Sequence, residues 1–581
     1  MYLVWNHAAP NFISTIAIFT LVCVAQAGQY PLTSSPNDAA IQACHTLASR
    51  FSSVVMFPAD KGYQSQQARY WASNQADFTP SCRISPTTSE EVGTLVSQLV
   101  EFGDDVKFAV SSGGHATAFG ASNIDDGITL DLSALDSVSL ASDRSYVDVG
   151  TGARWLDVYR ALDPWGLTVA GGRAASVGVG GYLLGGMRPF IHPMTGHGAD
   201  KVDKGGISLF SSLCGWGADS VDSIEVVLAN GTIVTASAST HSDLLACLKG
   251  GANNFGIAIS FRIKTFPTHG LLRVSLLQYA HEHLPAVLDA LSNFTQNAHL
   301  DLNSASADLS VGFDTTLNNP EHNNTVYMLM LTRLIPLEEQ PDVATDEKFP
   351  QLWQSFFDIP TLSTSTWRSS MSDVAQLVEM SNPYGFRVYK TTMTVRNDAI
   401  LLARITDLVT TSLQDEAFVR GEPVLQAGLL VQPLTLPHLR YARDQAQAEH
   451  QGQGQGLAQA QAQAQGPRNL MLLEDEAEAL ILLSLEAHYL HSGHSARYTA
   501  LMDGILAQAE HLARSSNNAL HPFRYGNYAA KGQDVWGLLT RGEKEHTRRI
   551  LDQVRDVQRR YDPIGVWENM LSGGFRIPSK A

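Results

Sequence analysis

The short loop Val110-Ser111-Ser112-Gly113-Gly114-His115 is the centre around which this chain is organised. The apolar residues 108–110 predict a short buried strand, and the Ser-Ser-Gly-Gly sequence ends that strand in a sharp turn. Two adjacent glycines lack the Cβ atoms that would keep backbone N–H groups away from a ligand. Successive N–H groups can therefore form an anion-binding concavity suited to a pyrophosphate. Taken alone, the loop favours the alternative of a plain turn with a surface histidine.

A second glycine-rich stretch lies downstream. It contains Gly171-Gly172-Arg173 and Ser176-Val177-Gly178-Val179-Gly180-Gly181. Its glycine spacing differs from that of the dinucleotide-binding fingerprint, and no amphipathic helix is predicted after it. Because a β-rich segment separates the two glycine-rich stretches, together they predict one large cofactor that is held from both sides.

Six motifs follow one another along the chain. They are Ser112-Gly113-Gly114-His115, Asp131-Leu132-Ser133, Gly152-Ala153-Arg154-Trp155, Gly171-Gly172-Arg173, Val177-Gly178-Val179-Gly180-Gly181 and Gly250-Gly251-Ala252-Asn253-Asn254-Phe255-Gly256-Ile257. In this order they resemble the PCMH-type FAD-binding domain of the vanillyl-alcohol-oxidase superfamily, in its berberine-bridge-enzyme-like branch. The resemblance resumes at Tyr525-Gly526-Asn527-Tyr528 and Tyr561-Asp562-Pro563, so it covers most of the mature chain.

The resemblance implies an α+β fold. Residues 79–268 are expected to form a PCMH-type FAD-binding domain of two α/β subdomains, with FAD stretched between them. Residues 269–515 are expected to form an antiparallel-sheet substrate domain backed by helices. An N-terminal segment, residues 28–78, precedes these domains, and residues 516–581 return to the FAD domain.

The resemblance also assigns residues to the cofactor. His115 matches the family's attachment histidine, so we expect a single covalent bond from its neutral imidazole to the flavin 8α-methyl group. Members with two bonds use a cysteine at the position of Ala174, which cannot form one. The alternative is a histidine hydrogen-bonded in its loop beside dissociable FAD. The implied cofactor contacts are Ser111, Ser112, Gly113, Gly114, His115, Ala116, Gly172, Ser176, Val177, Gly178, Gly181, Gly256, Ile257 and Asn527.

Tyr528 matches the family's catalytic tyrosine. A base must lie within hydrogen-bond reach of the substrate hydroxyl, and a free tyrosine titrates at about 10. It therefore needs positive charge or hydrogen bonds nearby, and Asn527 is placed to hydrogen-bond its surroundings. The alternative is an aromatic strand packed on the sheet. Val177 matches the position that governs oxygen access, where valine accompanies oxidase behaviour, and its alternative role is core packing.

These matches imply an FAD-dependent oxidase that takes hydride from an alcohol, a sugar or a secondary metabolite and reduces O2 to H2O2. Family members oxidise carbohydrates, allylic alcohols and alkaloid-like intermediates. A flavin dehydrogenase with another acceptor is one alternative. The other is a flavin-free binding glycoprotein on the same fold.

Composition limits the partners. With 581 residues the chain is long enough for more than one core, and its formal net charge is −17. Nucleic-acid phosphates and anionic lipids both require clustered Lys and Arg, so neither is expected as a partner. The expected partners are a small-molecule substrate and O2.

The N-terminus predicts secretion. Residues 12–24 are apolar and precede Ala25-Gln26-Ala27, which suits a signal peptide of residues 1–27. The run is short for a membrane anchor, which needs about 20 residues. In an oxidising compartment Cys44 and Cys82 can staple the N-terminal segment, including Trp71, to the main domain. Cys214 and Cys247 lie in apolar elements and are predicted to be buried thiols, with a disulfide between them as the alternative.

Three Asn-x-Thr sites start at Asn230, Asn293 and Asn323 and become glycosylation acceptors if the chain is secreted. Asn230-Gly231 also predicts a type I′ hairpin turn between two strands. Such a turn can hide Asn230 from the transferase, so Asn293 and Asn323 are the favoured sites.

Periodicity predicts elements in both domains. A capped helix is expected from Thr87 to about Glu101, since Glu91 completes the capping pattern and apolar residues follow at helical spacing. Further strands are predicted at 107–110, 127–131, 146–149, 223–228, 232–236, 257–266, 325–331, 386–395 and 479–485, with helices at 152–162, 243–248, 284–294 and 398–413.

One stretch departs from the family pattern, and a second has low complexity. Residues 187–205 interrupt a motif that resumes at Gly206, so we interpret them as a retained intron or a surface loop. His192 and His197 lie within them, but two histidines in a loop form no ligand pattern, and no metal is expected. Residues 445–465 are rich in Gln, Ala and Gly and predict a disordered insertion, with helical Ala-Gln repeats as the alternative.

Overall fold

The computed structural model describes residues 38–186, 205–268, 272–314, 325–336, 349–420, 426–451, 473, 476–536 and 544–578. The predicted signal peptide, His192, His197 and Asn323 lie outside these ranges. None of the helices in these ranges combines the length and the apolar character that crossing a membrane requires.

The N-terminal segment is stapled to the rest of the chain as predicted. Helix α1 (Asp38–Arg50) is joined to strand β2 (Cys82–Ile84) by the disulfide Cys44–Cys82, and β1 (Val55–Met56) and α2 (Lys61–Gln67) lie between them. The Trp71 N–H donates to the Gly114 carbonyl at 3.1 Å, and the Ser73 N–H donates to the Phe386 carbonyl at 2.8 Å. The segment therefore contacts both the first glycine-rich loop and the substrate domain.

The first subdomain contains a four-stranded sheet in the order β1-β2-β4-β3, where β3 is Phe108–Ser111 and β4 is Ile128–Asp131. Helix α3 (Ser89–Glu101) packs its apolar face on this sheet. Its N-cap Thr88 accepts a hydrogen bond from the Glu91 N–H at 3.2 Å. The Thr87 N–H donates to the Glu91 carboxylate at 2.7 Å. The predicted cap and helix are confirmed.

The second subdomain is an antiparallel five-stranded sheet in the order β5-β6-β10-β8-β9. Its strands are β5 (Val138–Leu140), β6 (Tyr146–Gly150), β8 (Val221–Val227), β9 (Ile233–Ser237) and β10 (Ile257–Lys264), beside the pair β7 (Leu167–Thr168) and β11 (Phe266–Pro267). Its helices are α4 (Trp155–Leu162), α5 (Val179–Leu184), α6 (Ser211–Cys214) and α7 (Ser242–Leu248). Cys214 and Cys247 are buried free thiols, as predicted.

The β8–β9 hairpin is present, but its predicted type I′ turn is wrong. That turn needs positive φ at both central residues, and only Gly231 has one, at +80°. The Gly231 N–H bonds to the Leu228 carbonyl at 2.9 Å, and the Leu228 N–H bonds to the Thr232 carbonyl at 2.9 Å. This three-residue loop confines the left-handed conformation to glycine, which adopts it without a Cβ clash. Asn230 remains exposed.

The substrate domain is built on one antiparallel sheet of eight strands among the described residues, in the order β15-β12-β14-β13-β17-β18-β16-β19. The strands are β12 (Leu272–Tyr279), β13 (Ser306–Asp314), β14 (Thr325–Leu334), β15 (Ser363–Ser369), β16 (Arg387–Arg396), β17 (Gln426–Leu434), β18 (Leu480–Tyr489) and β19 (Leu520–His521). The helices are α8 (Leu284–Asn297), α9 (Gln351–Phe357), α10 (Met371–Met380), α11 (Ala399–Arg420), α12 (Leu436–Gln451) and α13 (Ser495–Ser515). Helices α8, α11 and α13 share one core with the sheet, which confirms the expected α+β architecture.

Helix α12 corrects one prediction. The low-complexity tract 445–465 was expected to be disordered, but its first seven residues, 445–451, continue α12. Gln and Ala are good helix formers, and the first glycine of the tract is Gly452. Residues 452–465 lie outside the described residues.

The chain end joins both domains. Strand β19 pairs with β16 at the edge of the substrate sheet. Helix α14 (Lys544–Tyr561) then returns to the FAD domain, where the Tyr561 hydroxyl donates to Asp243 of α7 at 2.9 Å, and α15 (Val566–Asn569) follows. The Phe108 N–H of β3 donates to the Met570 carbonyl at 3.0 Å. The C-terminus thus supports the strand that leads into the first glycine-rich loop.

The two ends of the unexpected stretch 187–205 lie close together, although residues 187–204 themselves lie outside the described residues. A Cβ atom on Gly205 would lie 1.8 Å from the Leu183 carbonyl oxygen and 3.0 Å from that of Gly185. A Cβ on Gly206 would meet the Tyr182 ring at 2.1 Å. Rejoining the chain across this stretch therefore needs only local adjustment.

We expect a variant lacking residues 187–205 to fold, with a thermal unfolding midpoint no lower than that of the full chain. Closing a shorter loop costs less conformational entropy. Circular dichroism and thermal melting of both proteins would measure this. In parallel, sequencing the transcript tests the intron hypothesis, which a message retaining those codons would refute.

Candidate active site

The two glycine-rich loops meet backbone to backbone. A Cβ on Gly113 would lie 2.4 Å from the Gly178 Cα, and a Cβ on Gly178 would lie 2.5 Å from the Gly113 Cα. The Ser112 hydroxyl donates to the Thr151 carbonyl at 2.6 Å and fixes the first loop to the end of β6. The predicted juxtaposition of the two stretches is present, and glycine is required at both contact positions.

The predicted cofactor residues other than Asn527 divide into two groups. Ser111, Ser112, Gly113, Gly114 and His115 lie together with Ser176 and Gly178 at the meeting of the loops, Ala116 and Val177 follow them in sequence, and Gly181 is exposed with open space where a Cβ would stand.

Gly172 and Gly256 instead face the protein interior. A Cβ on Gly172 would meet the Trp155 ring at 2.5 Å, and one on Gly256 would meet the Val226 side chain at 2.5 Å. Ile257 is buried and pairs with Val227 in the sheet. The contacts of these three residues among the described residues are packing contacts.

The His115 ring is held on two sides. It stacks on Trp71 of the N-terminal segment, with ring centroids 4.3 Å apart and planes 9° from parallel. Its Nε2 atom lies 3.1 Å from the Ser176 hydroxyl oxygen. Burial and the positive charges of Arg154 and Lys390 lower the pKa of His115 to about 3, so the imidazole is neutral near pH 7.

Ser176 is fixed by every polar group it carries. Its hydroxyl donates to Glu379 Oε2 at 2.7 Å, and its N–H donates to the same oxygen at 3.0 Å. Its carbonyl accepts from the Arg154 guanidinium. Glu379 lies on α10, so a helix of the substrate domain holds the second glycine-rich loop of the FAD domain.

Tyr528 lies between two cations. The Arg173 guanidinium donates to its hydroxyl oxygen, and the Lys390 ammonium lies 4.1 Å from the centroid of its ring. Arg173 also donates to Asp308 at 2.8 Å and to Gln432 at 3.3 Å, which fixes the guanidinium plane. Tyr528 therefore has the positive surroundings that a tyrosine base requires.

The cations are balanced by nearby carboxylates. Lys390 pairs with Glu486 at 2.9 Å. Burial opposes the charged form of Glu486, but Lys390 and the neighbouring positive charges outweigh it and lower its pKa to about 2. Burial likewise opposes the charge of Arg173, but Tyr528 and Asp308 raise the Arg173 pKa above its usual range. Both cations are thus paired with carboxylates and held beside Tyr528.

Tyr525 and Asn527 lie beside Tyr528 and are hydrogen-bonded to each other. The Tyr525 hydroxyl accepts from the Ile207 N–H at 2.9 Å and from the Asn527 amide at 3.0 Å. Its ring packs edge to face on Tyr528, with centroids 4.8 Å apart. Burial raises the pKa of Tyr525, so its hydroxyl stays protonated near pH 7.

Proteins of similar sequence contain the same FAD-binding domain. A family model described as an FAD-binding domain matches residues 80–203, which include both glycine-rich loops. The FAD-dependent monooxygenase tpcD of Cochliobolus heterostrophus is 31% identical over 538 residues, covering 91% of each chain. The FAD-dependent monooxygenase sdcF of Emericella nidulans is 27% identical and covers 92% of this chain and 98% of the relative.

The chain belongs to the FAD-binding family that includes tpcD, and it shares its fold with the berberine-bridge-enzyme-like protein 1 of Physcomitrella patens. Solved structures share the fold at low identity. They include 6-hydroxy-D-nicotine oxidase of Arthrobacter nicotinovorans, with a TM-score of 0.63, 16% identity and coverage of 90% of this chain and 98% of that one. The glucooligosaccharide oxidase of Acremonium strictum has a TM-score of 0.60, 17% identity and coverage of 92% and 97%.

This flavoprotein is therefore an FAD-dependent oxidoreductase that acts on a small molecule. The described residues fit FAD, because the loops leave open space at Gly181 and present a neutral imidazole. The Ser176 hydroxyl is the hydrogen-bond partner of His115 Nε2. Among the described residues, His115 Nδ1 has no side-chain partner.

Several site residues of this flavoprotein were missed. They are Trp71, Arg154, Arg173, Asp308, Glu379, Lys390, Gln432 and Glu486. Arg173 directly follows Gly171-Gly172. A cation at the edge of a glycine-rich loop is a pattern from which its place in the site could have been predicted. Glu379 and Lys390 lie on an ordinary amphipathic helix and strand, where no local pattern marks them.

Replacing Tyr528 with phenylalanine removes the phenolic hydroxyl and keeps the ring. We expect substrate-driven flavin reduction to slow by about 10²–10⁴-fold, while bound FAD and thermal stability are retained. Anaerobic stopped-flow reduction measures the rate. Tyr525→Phe is the matched control, since it also removes one phenolic hydroxyl. An equal loss in both variants would contradict the assignment of Tyr528.

Proposed function

We propose that this flavoprotein is a secreted oxidase that removes hydride from the hydroxyl-bearing carbon of a small alcohol, sugar or secondary metabolite and reduces O2 to H2O2. The observation that carries the proposal is Tyr528 placed between Arg173 and Lys390. This arrangement favours proton removal from a hydroxyl group, which is the step that hydride loss from an alcohol requires.

The chain's own residues supply the proton chemistry. When bound, FAD supplies the hydride acceptor. Tyr528 takes the hydroxyl proton as the substrate loses hydride, and Arg173 stabilises the negative charge on the phenolic oxygen. Lys390 faces the ring from the side, and Glu486 fixes it there through their 2.9 Å ion pair. Both cations are in place before substrate arrives, so little reorganisation accompanies the reaction.

We propose a single covalent attachment of FAD, through His115. A neutral imidazole is the nucleophilic form, and the surroundings of His115 keep it neutral. Ala174, at the position where the family's second attachment residue stands, is buried and carries only a methyl group. Val177 supports the oxidase assignment, because in the family a valine here accompanies oxygen reactivity.

A second candidate is monooxygenation. It is favoured by the relatives tpcD and sdcF, both of which are named FAD-dependent monooxygenases. A monooxygenase places one oxygen atom of O2 in its product, whereas an oxidase releases both as H2O2. The two functions therefore differ in the fate of oxygen.

We expect one H2O2 for each substrate oxidised and no oxygen from ¹⁸O2 in the organic product. A panel of sugars, allylic alcohols and phenolic metabolites would first be screened for anaerobic bleaching of the flavin. The active compound would then be turned over under ¹⁸O2, with peroxide assay and mass spectrometry of the product. One ¹⁸O atom in the product would establish the monooxygenase. Bleaching without peroxide or ¹⁸O would favour the dehydrogenase, and absence of flavin the binding glycoprotein.

We also propose secretion, supported by the apolar run before Ala27 and by the Cys44–Cys82 disulfide, since disulfides persist in oxidising compartments. Expressed in a eukaryotic secretory host, the protein is expected in the medium with Gly28 as its first residue and with glycan on exposed Asn293. N-terminal sequencing and enzymatic deglycosylation measure both. Retention of residues 1–27 on a cell-associated protein would contradict the proposal.

A further inference from the structure

The hydrogen bonds around Ser176 decide where the His115 proton lies. A carboxylate only accepts hydrogen bonds, and a serine hydroxyl has one proton to donate. The Ser176 hydroxyl lies 2.7 Å from Glu379 Oε2, so its proton is directed there. Its oxygen must then accept from His115 Nε2, 3.1 Å away. This hydrogen-bond network favours the tautomer with the proton on Nε2 and the lone pair on Nδ1.

We propose that Glu379 is a positioning residue for flavin attachment, which acts through Ser176 to hold His115 in the tautomer whose Nδ1 lone pair bonds the flavin. This inference rests on the covalent attachment proposed above. Glu379 lies on α10 of the substrate domain and Ser176 on the glycine-rich loop of the FAD domain. Attachment thus depends on the docking of the two domains.

The attachment step is a two-electron oxidation of the flavin 8α-methyl group. Nδ1 uses its lone pair to form the bond to the 8α carbon, one methyl proton leaves to solvent, and the electron pair of the broken C–H bond passes to the isoalloxazine ring. Dioxygen is the oxidant that finally takes this pair and, with two protons, gives H2O2. The alkylated imidazole of His115 carries a positive charge until its Nε2 atom loses its proton towards Ser176.

The negative charge of Glu379 stabilises the positive charge that forms on the His115 imidazole. Burial and the positive charges of Arg154 and Lys390 disfavour positive charge on His115 and lower its pKa. The Glu379 carboxylate, one hydroxyl group away, offsets them as the ring becomes cationic. A carboxylate that orients a histidine and stabilises its cation is a recurring catalytic arrangement. Trp71 completes the restraint, because its Nε1–H donates to the Asn382 carbonyl at 2.8 Å and keeps the stacking surface in place.

The test is the rate of covalent attachment, measured apart from turnover. Full-length apoprotein from riboflavin-limited cells would be mixed with FAD, and acid-precipitable flavin would be followed over time. We expect Ser176→Ala and Glu379→Ala to slow attachment by about 10- to 100-fold, as misplacement of a reacting atom does. Ser176→Thr keeps the hydroxyl and is expected to retain the wild-type rate. Glu379→Gln keeps an acceptor without the charge, so its rate is expected between wild type and Glu379→Ala.

Controls separate this role from a structural one. Glu282→Gln neutralises an exposed carboxylate of the same domain and is expected to leave the rate unchanged. Non-covalent FAD affinity and the thermal midpoint, measured before attachment begins, identify a variant that has merely lost its fold. The wild-type flavinyl peptide gives an independent readout, since the proposal requires the bond at Nδ1, and a bond at Nε2 would overturn it.

The two proposals fail differently. Wild-type protein with only dissociable flavin would refute attachment at His115 and this inference with it. Covalent flavin in wild type, formed equally fast in Ser176→Ala and Glu379→Ala, would refute the role of Glu379 alone. Slow attachment in both alanine variants, with normal rates in Ser176→Thr and Glu282→Gln, would support it.

Discussion

The contact between Gly113 and Gly178 is the constraint on which the rest of the site depends. With 2.4 Å from a hypothetical Gly113 Cβ to the Gly178 Cα, a side chain at either position would force the loops apart. His115 follows the first glycine by two residues and Ser176 precedes the second by two. Their 3.1 Å contact exists because the backbones approach so closely. A backbone contact thus sets the chemistry of two side chains.

Elements from outside the FAD-binding domain complete this arrangement. Trp71 reaches His115 from a segment anchored by the Cys44–Cys82 disulfide and hydrogen-bonded to the substrate domain. Glu379 reaches Ser176 from α10, whose Ala375 carbonyl also accepts from the Ala175 N–H at 3.1 Å. His115 is therefore enclosed by three parts of the chain, so its environment forms only when the domains dock.

The sequence predicted what is local. The α3 helix with its Thr88 cap and the position of Tyr528 follow from patterns a few residues long. The sequence did not predict the long-range contacts of the site. Ser176 and Glu379 are 203 residues apart, and Arg173 and Tyr528 are 355 residues apart. The type I′ turn failed for a different reason, since Asn-Gly permits more than one hairpin loop and only the hydrogen bonds select one.

Lys390 connects the two halves of the site. It lies over the Tyr528 ring, where it stabilises negative charge, and it also helps to keep His115 neutral. A buried ammonium is costly unless it is paired and hydrogen-bonded, and Glu486 meets that requirement at 2.9 Å. Removing Glu486 would leave an uncompensated cation facing both residues. The Lys390–Glu486 ion pair therefore matters more for the electrostatic potential at Tyr528 and His115 than for the stability of the fold.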